Sequence, residues 1–196
     1  RQMCIRDRPL ETRQRFAGNL KERLHELEHQ VRDMLVFARG ELPLTDRLTP
    51  KALFQALQQA AQTQVHGHHV RWQCDSHLGE LLCNRDTLVG ALLNLLENAL
   101  QASNGCARLK IHLYRRGATL RLCVSDAGSG IDSELLQRLG EPFITTKATG
   151  TGLGLAVVKA VARAHQGELY LRSRSGRGTC AIVSLPLIGA AGEVSA

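Results

Sequence analysis

Apolar residues recur at steps of four and three between residues 10 and 38, and polar residues fill the gaps between them. The stripe consists of Leu20, Leu24, Leu27, Val31, Met34 or Leu35, and Ala38. This spacing predicts a long helix with a coiled-coil seam. A helix with one apolar stripe must bury it against other helices. A partner helix, a second copy of the chain, or both are therefore implied, and we expect a homodimer through residues 10–38.

From residue 50 onward the pattern predicts shorter helices that alternate with strand pairs. Thr49 and Asn84 are candidate N-caps, and Pro50 suits a first helical position. Helices are predicted at 50–65, 85–103, 134–139 and 153–165. Strands are predicted at 70–74, 78–83, 108–116, 119–126, 168–174 and 178–186, the last four as two hairpins. This order predicts an α+β two-layer sandwich, with a mixed, mainly antiparallel sheet under helices.

The same patterns divide the chain into five segments. Gly40 ends the long helix, and ELPLTDRLTP at 41–50 has two prolines and no period. We predict a disordered or extraneous head at 1–9, a dimerising helix at 10–40, a linker at 41–49, an α+β domain at 50–187 and a tail at 188–196.

Composition narrows the choice of partners. Hydrophobic residues make up 43% and charged residues 22%, as in globular proteins. The net charge is +7, but the basic residues are dispersed and only 4% of residues are aromatic, so we expect no nucleic acid partner. No apolar run approaches the ~20 residues of a membrane span, so we expect no membrane contact. Six scattered cysteines without a CxxC pair argue against a zinc site and favour a reducing, cytoplasmic setting.

Two asparagines stand four residues apart in the leucine-rich helix NLLENALQA, at 94–102. Asn94 and Asn98 therefore project from one face of this helix. One interpretation is a pair of hydrogen-bonded core amides, because a buried amide must find partners. The other is a binding role, because an amide oxygen suits a hard cation such as Mg²⁺ that carries nucleotide phosphates.

Glycine-rich segments follow. In DAGSGI (126–131), Asp126 ends a predicted strand and could accept a hydrogen bond from an amino group such as that of adenine, although an ordinary turn explains the motif equally well. GTGLGL (150–155) opens a helix, whose N–H groups and positive end suit an anion. Before it, EPFITTK (141–147) contains Phe143, a candidate anchor for a mobile segment, and Lys147, a candidate phosphate counter-charge.

Together and in this order, the four motifs resemble the N, G1, F and G2 boxes of the histidine kinase ATPase domain, which has a Bergerat-type ATP-binding fold. The resemblance covers residues 48–187. It implies that Asn98 holds Mg²⁺, Asn94 supports the phosphate site and Asp126 reads the adenine amine. Residues 140–152 would form the ATP lid. The implied catalytic residues are Asn94, Asn98 and Lys147. The implied ATP-binding residues are Asn94, Asn98, Asp126, Gly128, Gly130, Ile131, Phe143, Thr146, Lys147, Gly150, Thr151, Gly152, Leu153, Gly154 and Leu155.

The resemblance also implies an activity and a partner. Such kinases phosphorylate a histidine with ATP and relay the phosphoryl group to an aspartate of a response regulator. The related topoisomerase, heat-shock and mismatch-repair ATPases have a Glu where Asn94 stands, and this Glu activates the attacking water. The absence of that Glu fits a kinase, which should not hydrolyse its ATP. The helix at 10–40 resembles the second helix of the kinase dimerisation and phosphotransfer hairpin. The stretches LEHQVRDMLVFARG and KAVARAHQGEL resemble the flagellar sensor kinases of pseudomonads.

One departure concerns the phosphoacceptor. The family's H box does not occur in this sequence, and His25 and His29, in HELEH, lack its context. We therefore expect the chain as given to bind ATP without completing the relay. Two other functions share the ATP boxes: a nucleotide-dependent interaction module, and a serine kinase of the anti-sigma type. The helix at 10–38 weighs against the second of these.

Overall fold

The computed structural model describes residues 42–103, 105–139, 141, 144–145 and 151–188, together with Phe16, Gly18 and Leu20. These last three residues are helical and exposed. The predicted head at 1–9, the remainder of the predicted dimerising helix at 10–40, and residues 189–196 lie outside the described residues.

Local capping signals set the starts of the described helices. The helices are α1 (Pro50–Ala61), α2 (Arg85–Gln101), α3 (Ser133–Arg138) and α4 (Gly154–Ala164). The side chains of Thr49, Asn84 and Asp132 accept hydrogen bonds from first-turn backbone N–H groups of α1, α2 and α3. The fourth helix, α4, begins after Leu153 without a side-chain cap.

A five-stranded sheet forms the second layer. Its strands are β2 (His69–Cys74), β4 (Arg108–Arg116), β5 (Thr119–Asp126), β6 (Glu168–Ser173) and β7 (Thr179–Pro186). They lie side by side in the order β2-β4-β5-β7-β6. β2 runs parallel to β4, and every other neighbouring pair is antiparallel. The predicted α+β sandwich with a mixed, mainly antiparallel sheet is confirmed.

Two short strands, β1 (Asp46–Leu48) and β3 (Leu81–Cys83), pair antiparallel in a separate sheet. β1 lies within the segment that we predicted as a linker, where no pattern of residues indicated a strand. Three residues are too few to show alternation, and long-range contacts hold this strand. Asp46 accepts a hydrogen bond from the backbone N–H of Arg85 at 2.9 Å, and Arg47 pairs with Glu80 at 2.7 Å.

Two predicted elements are at least three residues shorter than expected. The predicted helix at 50–65 ends at Ala61, and residues 62–67 form turns. The strand expected at 78–83 begins only at Leu81, after Gly79 with a φ of 83°. A positive φ is costly for most residues and interrupts the regular strand. The predicted strand at 168–174 ends one residue early, at Ser173.

The core lies between the sheet and helices α1, α2 and α4. On each inner strand every second side chain is buried: Leu109, Ile111 and Leu113 on β4, Leu120, Leu122 and Val124 on β5, and Ala181, Val183 and Leu185 on β7. Full burial of one such leucine contributes about 2 kcal/mol relative to exposure. The alternate positions, including Lys110, Arg121, Cys123 and Cys180, belong to the opposite face of the sheet, and apart from buried Ser184 they are half-buried or exposed.

A buried histidine joins the end of α4 to the beginning of α2. His165 is only 2% exposed. Its Nδ1 lies 2.7 Å from the carbonyl oxygen of Val161, and its Nε2 accepts a hydrogen bond from the backbone N–H of Asn84 at 3.0 Å. Burial lowers the pKa of His165, so the ring is neutral, with its proton on Nδ1.

Candidate functional site

Helix α2 carries three residues, Asn94, Asn98 and Ala102, at intervals of four, and these intervals place them on one face. Asn94 is 3% exposed, whereas Asn98 is half-buried. Ala102 is the C-cap of the helix, and its N–H donates to the carbonyl of Asn98 at 3.0 Å. The predicted pair therefore shares a face, but the two amides differ in accessibility.

The loop after β5 rests on the C-terminal end of this helix. The N–H of Ser129 donates to the carbonyl oxygen of Ala102 at 3.1 Å. Gly128 packs so closely that a Cβ at this position would overlap the same oxygen. A side chain larger than hydrogen would push the loop away from α2, so the sequence requires glycine here.

Asp126 is fixed by backbone donors from two segments. Its Oδ1 accepts hydrogen bonds from the N–H of Gly128 at 2.8 Å and from the N–H of Thr179 at 3.2 Å. Burial raises the pKa of the Asp126 carboxyl, and the two backbone donors oppose this rise. Gly178, with a φ of 79°, lets the backbone of the turn between β6 and β7 approach the carbonyl oxygen of Asp126. The carboxylate is thus held at the end of β5.

The next part of the loop is fastened to the turn between β6 and β7. Gly130 has a φ of 67°, and a Cβ there would overlap the carbonyl oxygen of Arg174. The N–H of Ile131 donates to the hydroxyl of Ser173 at 2.8 Å, and the N–H of Gly176 donates to the carbonyl of Ser129 at 2.6 Å. These contacts leave residues 126–131 little freedom to move.

The second glycine loop reaches the other end of the same α2 face. Gly152 has a φ of 68°, and the N–H of Leu153 donates to the hydroxyl of Thr151 at 3.3 Å. Gly154, the first residue of α4, contacts Asn94, whose Nδ2 lies 3.5 Å from the Gly154 carbonyl oxygen. Leu153 is buried and Leu155 packs against the core, which anchors the start of α4.

The structure therefore brings two sets of predicted residues onto one helix. The loop at 126–131 contacts α2 at Ala102, and the start of α4 contacts it at Asn94. Asn98 stands between these two points of contact. Phe143, Thr146, Lys147 and Gly150 lie outside the described residues, as does most of the predicted lid at 140–152.

Sequence reasoning missed the residues that hold Asp126 and its loop in place, namely Ala102, Ser173, Gly178 and Thr179. The segment SGRG (175–178) falls at the turn of the second predicted hairpin. Its two glycines were a usable signal for a tight turn, but nothing in the sequence shows that this turn packs against residues 126–131.

A cavity of about 430 Å³ opens beside Asp126, where β5 and β6 end and β7 begins. Its lining includes Ser125, Asp126, Arg172, Thr179 and Cys180. Asn94, Asn98 and Gly154 do not line it. Among the described residues of the predicted site, Asp126 is therefore the one that lines this cavity.

Comparison with known proteins identifies the family. The model of the family described as Histidine kinase-, DNA gyrase B-, and HSP90-like ATPase matches residues 83–189, more than half of the chain. The chain belongs to this ATPase family. The matched region contains α2, the loop after β5 and the start of α4, so it includes every predicted site residue.

Sensor kinases are among the relatives within this ATPase family. The chain is 72% identical to the sensor protein kinase FleS of Pseudomonas aeruginosa over 183 residues, which are 93% of this chain and 46% of FleS. It is 29% identical to the signal transduction histidine-protein kinase AtoS of Escherichia coli, over 89% of this chain and 29% of AtoS. The chain thus spans less than half the length of either relative.

Solved kinase structures share the fold. Full-length ShkA, in complex with AMPPNP, aligns with a TM-score of 0.75 and 25% identity, over 89% of this chain and 39% of ShkA. The histidine kinase AdeS of Acinetobacter baumannii aligns with a TM-score of 0.70 and 23% identity, over 93% of this chain and 87% of AdeS. The predicted histidine-kinase type of ATPase domain is confirmed, and the expected likeness to pseudomonad flagellar sensor kinases fits the match to FleS. No helix in the described part of the chain is long and apolar enough to cross a membrane.

Proposed function

We propose that this chain is the ATP-binding catalytic part of a cytoplasmic sensor histidine kinase, which phosphorylates a histidine for relay to a response regulator. One observation carries the proposal: the two glycine loops pack on α2 on either side of Asn98. A nucleotide could therefore contact one loop with its base and the other with its phosphates while Asn98 faces the region between them. The proposal includes dimerisation through residues 10–38.

The base end of the site is assigned to Asp126. Two backbone N–H groups occupy Oδ1 and fix the carboxylate, so Oδ2 is the atom assigned to the exocyclic amine of adenine. Guanine presents a carbonyl at the corresponding position, and two acceptors repel each other. Gly128, Gly130 and Ile131 supply the backbone wall of the purine pocket. The hydrogen bonds from Ser129 to Ala102 and from Ile131 to Ser173 keep that wall in place.

The phosphate end is assigned to the start of α4. A helix N-terminus has unpaired N–H groups and a partial positive charge, and α4 is the described helix whose start lacks a side-chain cap. Thr151, Gly152 and Leu153 lead directly into it. We assign Phe143, Thr146, Lys147 and Gly150 to the lid over the phosphates, where Lys147 would supply a positive charge.

The side chains of α2 fit a metal-bound triphosphate. An amide oxygen is a hard ligand, and half-buried Asn98 is accessible enough to serve as one Mg²⁺ ligand. When bound, Mg²⁺ would neutralise charge on the phosphates. Asn94 is buried, and its amide positions the start of α4. An amide cannot act as a general base at neutral pH, so Asn94 does not activate water against ATP. The residues therefore act by positioning the nucleotide and excluding water.

Calorimetry with Mg·ATP and Mg·GTP tests the proposal. We expect ATP to bind at least tenfold more tightly than GTP, and Asp126→Asn to remove most of this difference. Asp132→Asn is the matched control, because it makes the same charge change in the same loop and asparagine also caps helices. Equal affinities for the two nucleotides in the unaltered protein would contradict the assignment of Asp126. Phosphoryl transfer from ATP to a histidine, and then to a response regulator, tests the kinase activity in a protein that also contains the family's H box.

A further inference from the structure

Two cysteine sulfurs lie in contact on the face of the sheet opposite the core. Cys123 on β5 and Cys180 on β7 have their Sγ atoms 2.9 Å apart. In the strand register Cys123 stands opposite Ile182, and Cys180 stands opposite Ser125, so the two cysteines are diagonal neighbours. Cys74, Cys83 and Cys106, the other described cysteines, are free thiols that make no such contact.

We propose that Cys123 and Cys180 form an oxidisable dithiol site, which a peroxide converts into a disulfide between β5 and β7. A disulfide has a sulfur–sulfur distance of about 2.0 Å, so the two atoms need to approach by only about 0.9 Å. Both residues are half-buried, and Cys180 lines the cavity beside Asp126. A small oxidant can therefore reach one sulfur without unfolding of the sheet.

The surroundings make the two thiols unequal. The hydrogen bond between the Cys123 and Cys180 sulfurs, with help from Ser125 and the charge of Arg172, lowers the pKa of Cys180 to about 6 against the effect of burial. The same bond and burial raise the pKa of Cys123. Asp126 opposes the shift at Cys180, and Lys110 favours ionisation of Cys123, but neither reverses the order. Cys180 is the nucleophile and Cys123 the resolving thiol, because a thiolate reacts where a thiol does not.

The reaction balances with one peroxide per pair. The Cys180 thiolate attacks one oxygen of hydrogen peroxide, the O–O bond breaks, and the products are a sulfenic acid and hydroxide. The Cys123 sulfur then attacks the sulfenic sulfur and displaces hydroxide. The Cys123 proton and the hydroxide form water, and a proton from solvent converts the first hydroxide to water. Two thiols have lost two electrons, and the peroxide has gained them.

The bond should be readily reduced again. Diagonal neighbours in an antiparallel sheet have Cα atoms about 7–8 Å apart, at or beyond the ~4.4–6.8 Å that a disulfide usually spans. Closure must therefore pull β5 and β7 together, and a strained, accessible disulfide has a more oxidising potential than a relaxed one. Such a site can alternate between two states instead of acting as a permanent cross-link.

Formation of the disulfide should also affect the proposed base site, and this expectation rests on the proposed function. Cys180 follows Thr179, whose N–H holds Oδ1 of Asp126, and Cys123 lies three residues before Asp126 on β5. Movement of the two strands changes the position of this carboxylate. We therefore expect the disulfide form to bind ATP several-fold more weakly than the dithiol form.

Peptide mapping tests the site. The reduced protein is treated with stoichiometric hydrogen peroxide, blocked with iodoacetamide and digested with trypsin. Cys123 and Cys180 fall in peptides 122–138 and 178–196, each with no other cysteine. We expect these two peptides to be linked, with loss of two hydrogens from the monomer, and dithiothreitol to separate them. Cys106→Ser should retain the link, and Cys123→Ser and Cys180→Ser should each lose it.

The outcomes separate the two proposals. Alkylated or singly oxidised peptides 122–138 and 178–196, or a link found only in a disulfide-bonded dimer, would overturn the dithiol site. This result is read from the unaltered protein, so it stands even if a serine variant fails to fold. Linked peptides with unchanged ATP affinity would overturn the coupling to Asp126. Failure of the reduced protein to bind ATP would overturn the proposed function and leave the dithiol result intact.

Discussion

The side-chain amide of Asn94 and the carbonyl oxygen of Gly154, sixty residues apart in sequence, lie 3.5 Å apart where α2 meets the start of α4. Asn94 is 3% exposed, so this contact belongs to the core. Each of the two interpretations of the asparagine pair therefore fits one member of the pair. Asn94 is a core amide, and Asn98, one turn later, is the accessible one.

This difference predicts unequal costs for the same substitution. Asn94→Asp places a negative charge in the core next to a carbonyl oxygen, and we expect it to lower the free energy of unfolding by about 2–3 kcal/mol. Asn98→Asp, at a half-buried position, should cost less than about 1 kcal/mol. Urea denaturation followed by circular dichroism measures both. Equal losses would contradict the distinction between the two positions.

Asn98→Ala should remove the dependence of ATP affinity on Mg²⁺ while leaving metal-free ADP binding nearly unchanged. The reason is the loss of one oxygen ligand at an accessible position of α2. Glu97→Ala is the matched control, because Glu97 is exposed on another face and its side chain accepts a hydrogen bond from Gln101. Calorimetric titrations with and without Mg²⁺ provide the measurement. An effect of equal size in both variants would argue against Asn98 as the ligand.

Two glycines should respond in opposite directions to alanine. Gly128→Ala places a Cβ on the carbonyl oxygen of Ala102, and we expect it to destabilise the domain by about 2 kcal/mol and to weaken ATP binding. A Cβ at Gly90, inside α2, meets no atom within 4 Å. Gly90→Ala should therefore stabilise the helix by about 0.5–1 kcal/mol. Thermal unfolding of both variants tests the pair, and a stable Gly128→Ala protein would show that the loop is not tightly packed on α2.

His165 should resist protonation near pH 6. Burial lowers its pKa in the folded state below the ordinary value of 6.5, so the unfolded state binds the proton first. The contribution of His165 to stability is therefore complete above pH 6.5 and is lost as the pH falls through 6.5 towards the folded pKa. NMR titration of the ring should show no midpoint in the folded protein at pH 6–7. An ordinary midpoint would mean that the ring is open to water.

Long alternating patterns account for what the sequence predicted well. β4 and β5 have the predicted bounds, 108–116 and 119–126, because nine and eight residues show the alternation clearly and Gly117 and Ala118 mark the turn. β1 was missed because three residues carry no measurable period and their partner, β3, lies 35 residues away. Local pattern determines an element only when the element is long enough to contain that pattern.

The same limit applies within the site. Asp126 and the five glycines of the two motifs could be predicted because each motif is contiguous in sequence. Thr179, which holds Asp126 from 53 residues away, was not found, because its role depends on the register of β5 and β7. Nor did the sequence distinguish Asn94 from Asn98. Their exposures differ because the start of α4 covers one of them, and this contact is tertiary.

The position of β5 has a consequence for how selectivity can fail. β5 is the middle strand of five, paired with β4 and β7 along its length, and Asp126 is its last residue. Edge strands can fray locally, whereas a central strand separates only when its neighbours do. In the dithiol form, fraying of an edge strand therefore does not displace the group assigned to distinguish one base from another. Loss of base discrimination by thermal fluctuation would require an opening close to global unfolding, so its frequency is set by the stability of the whole domain.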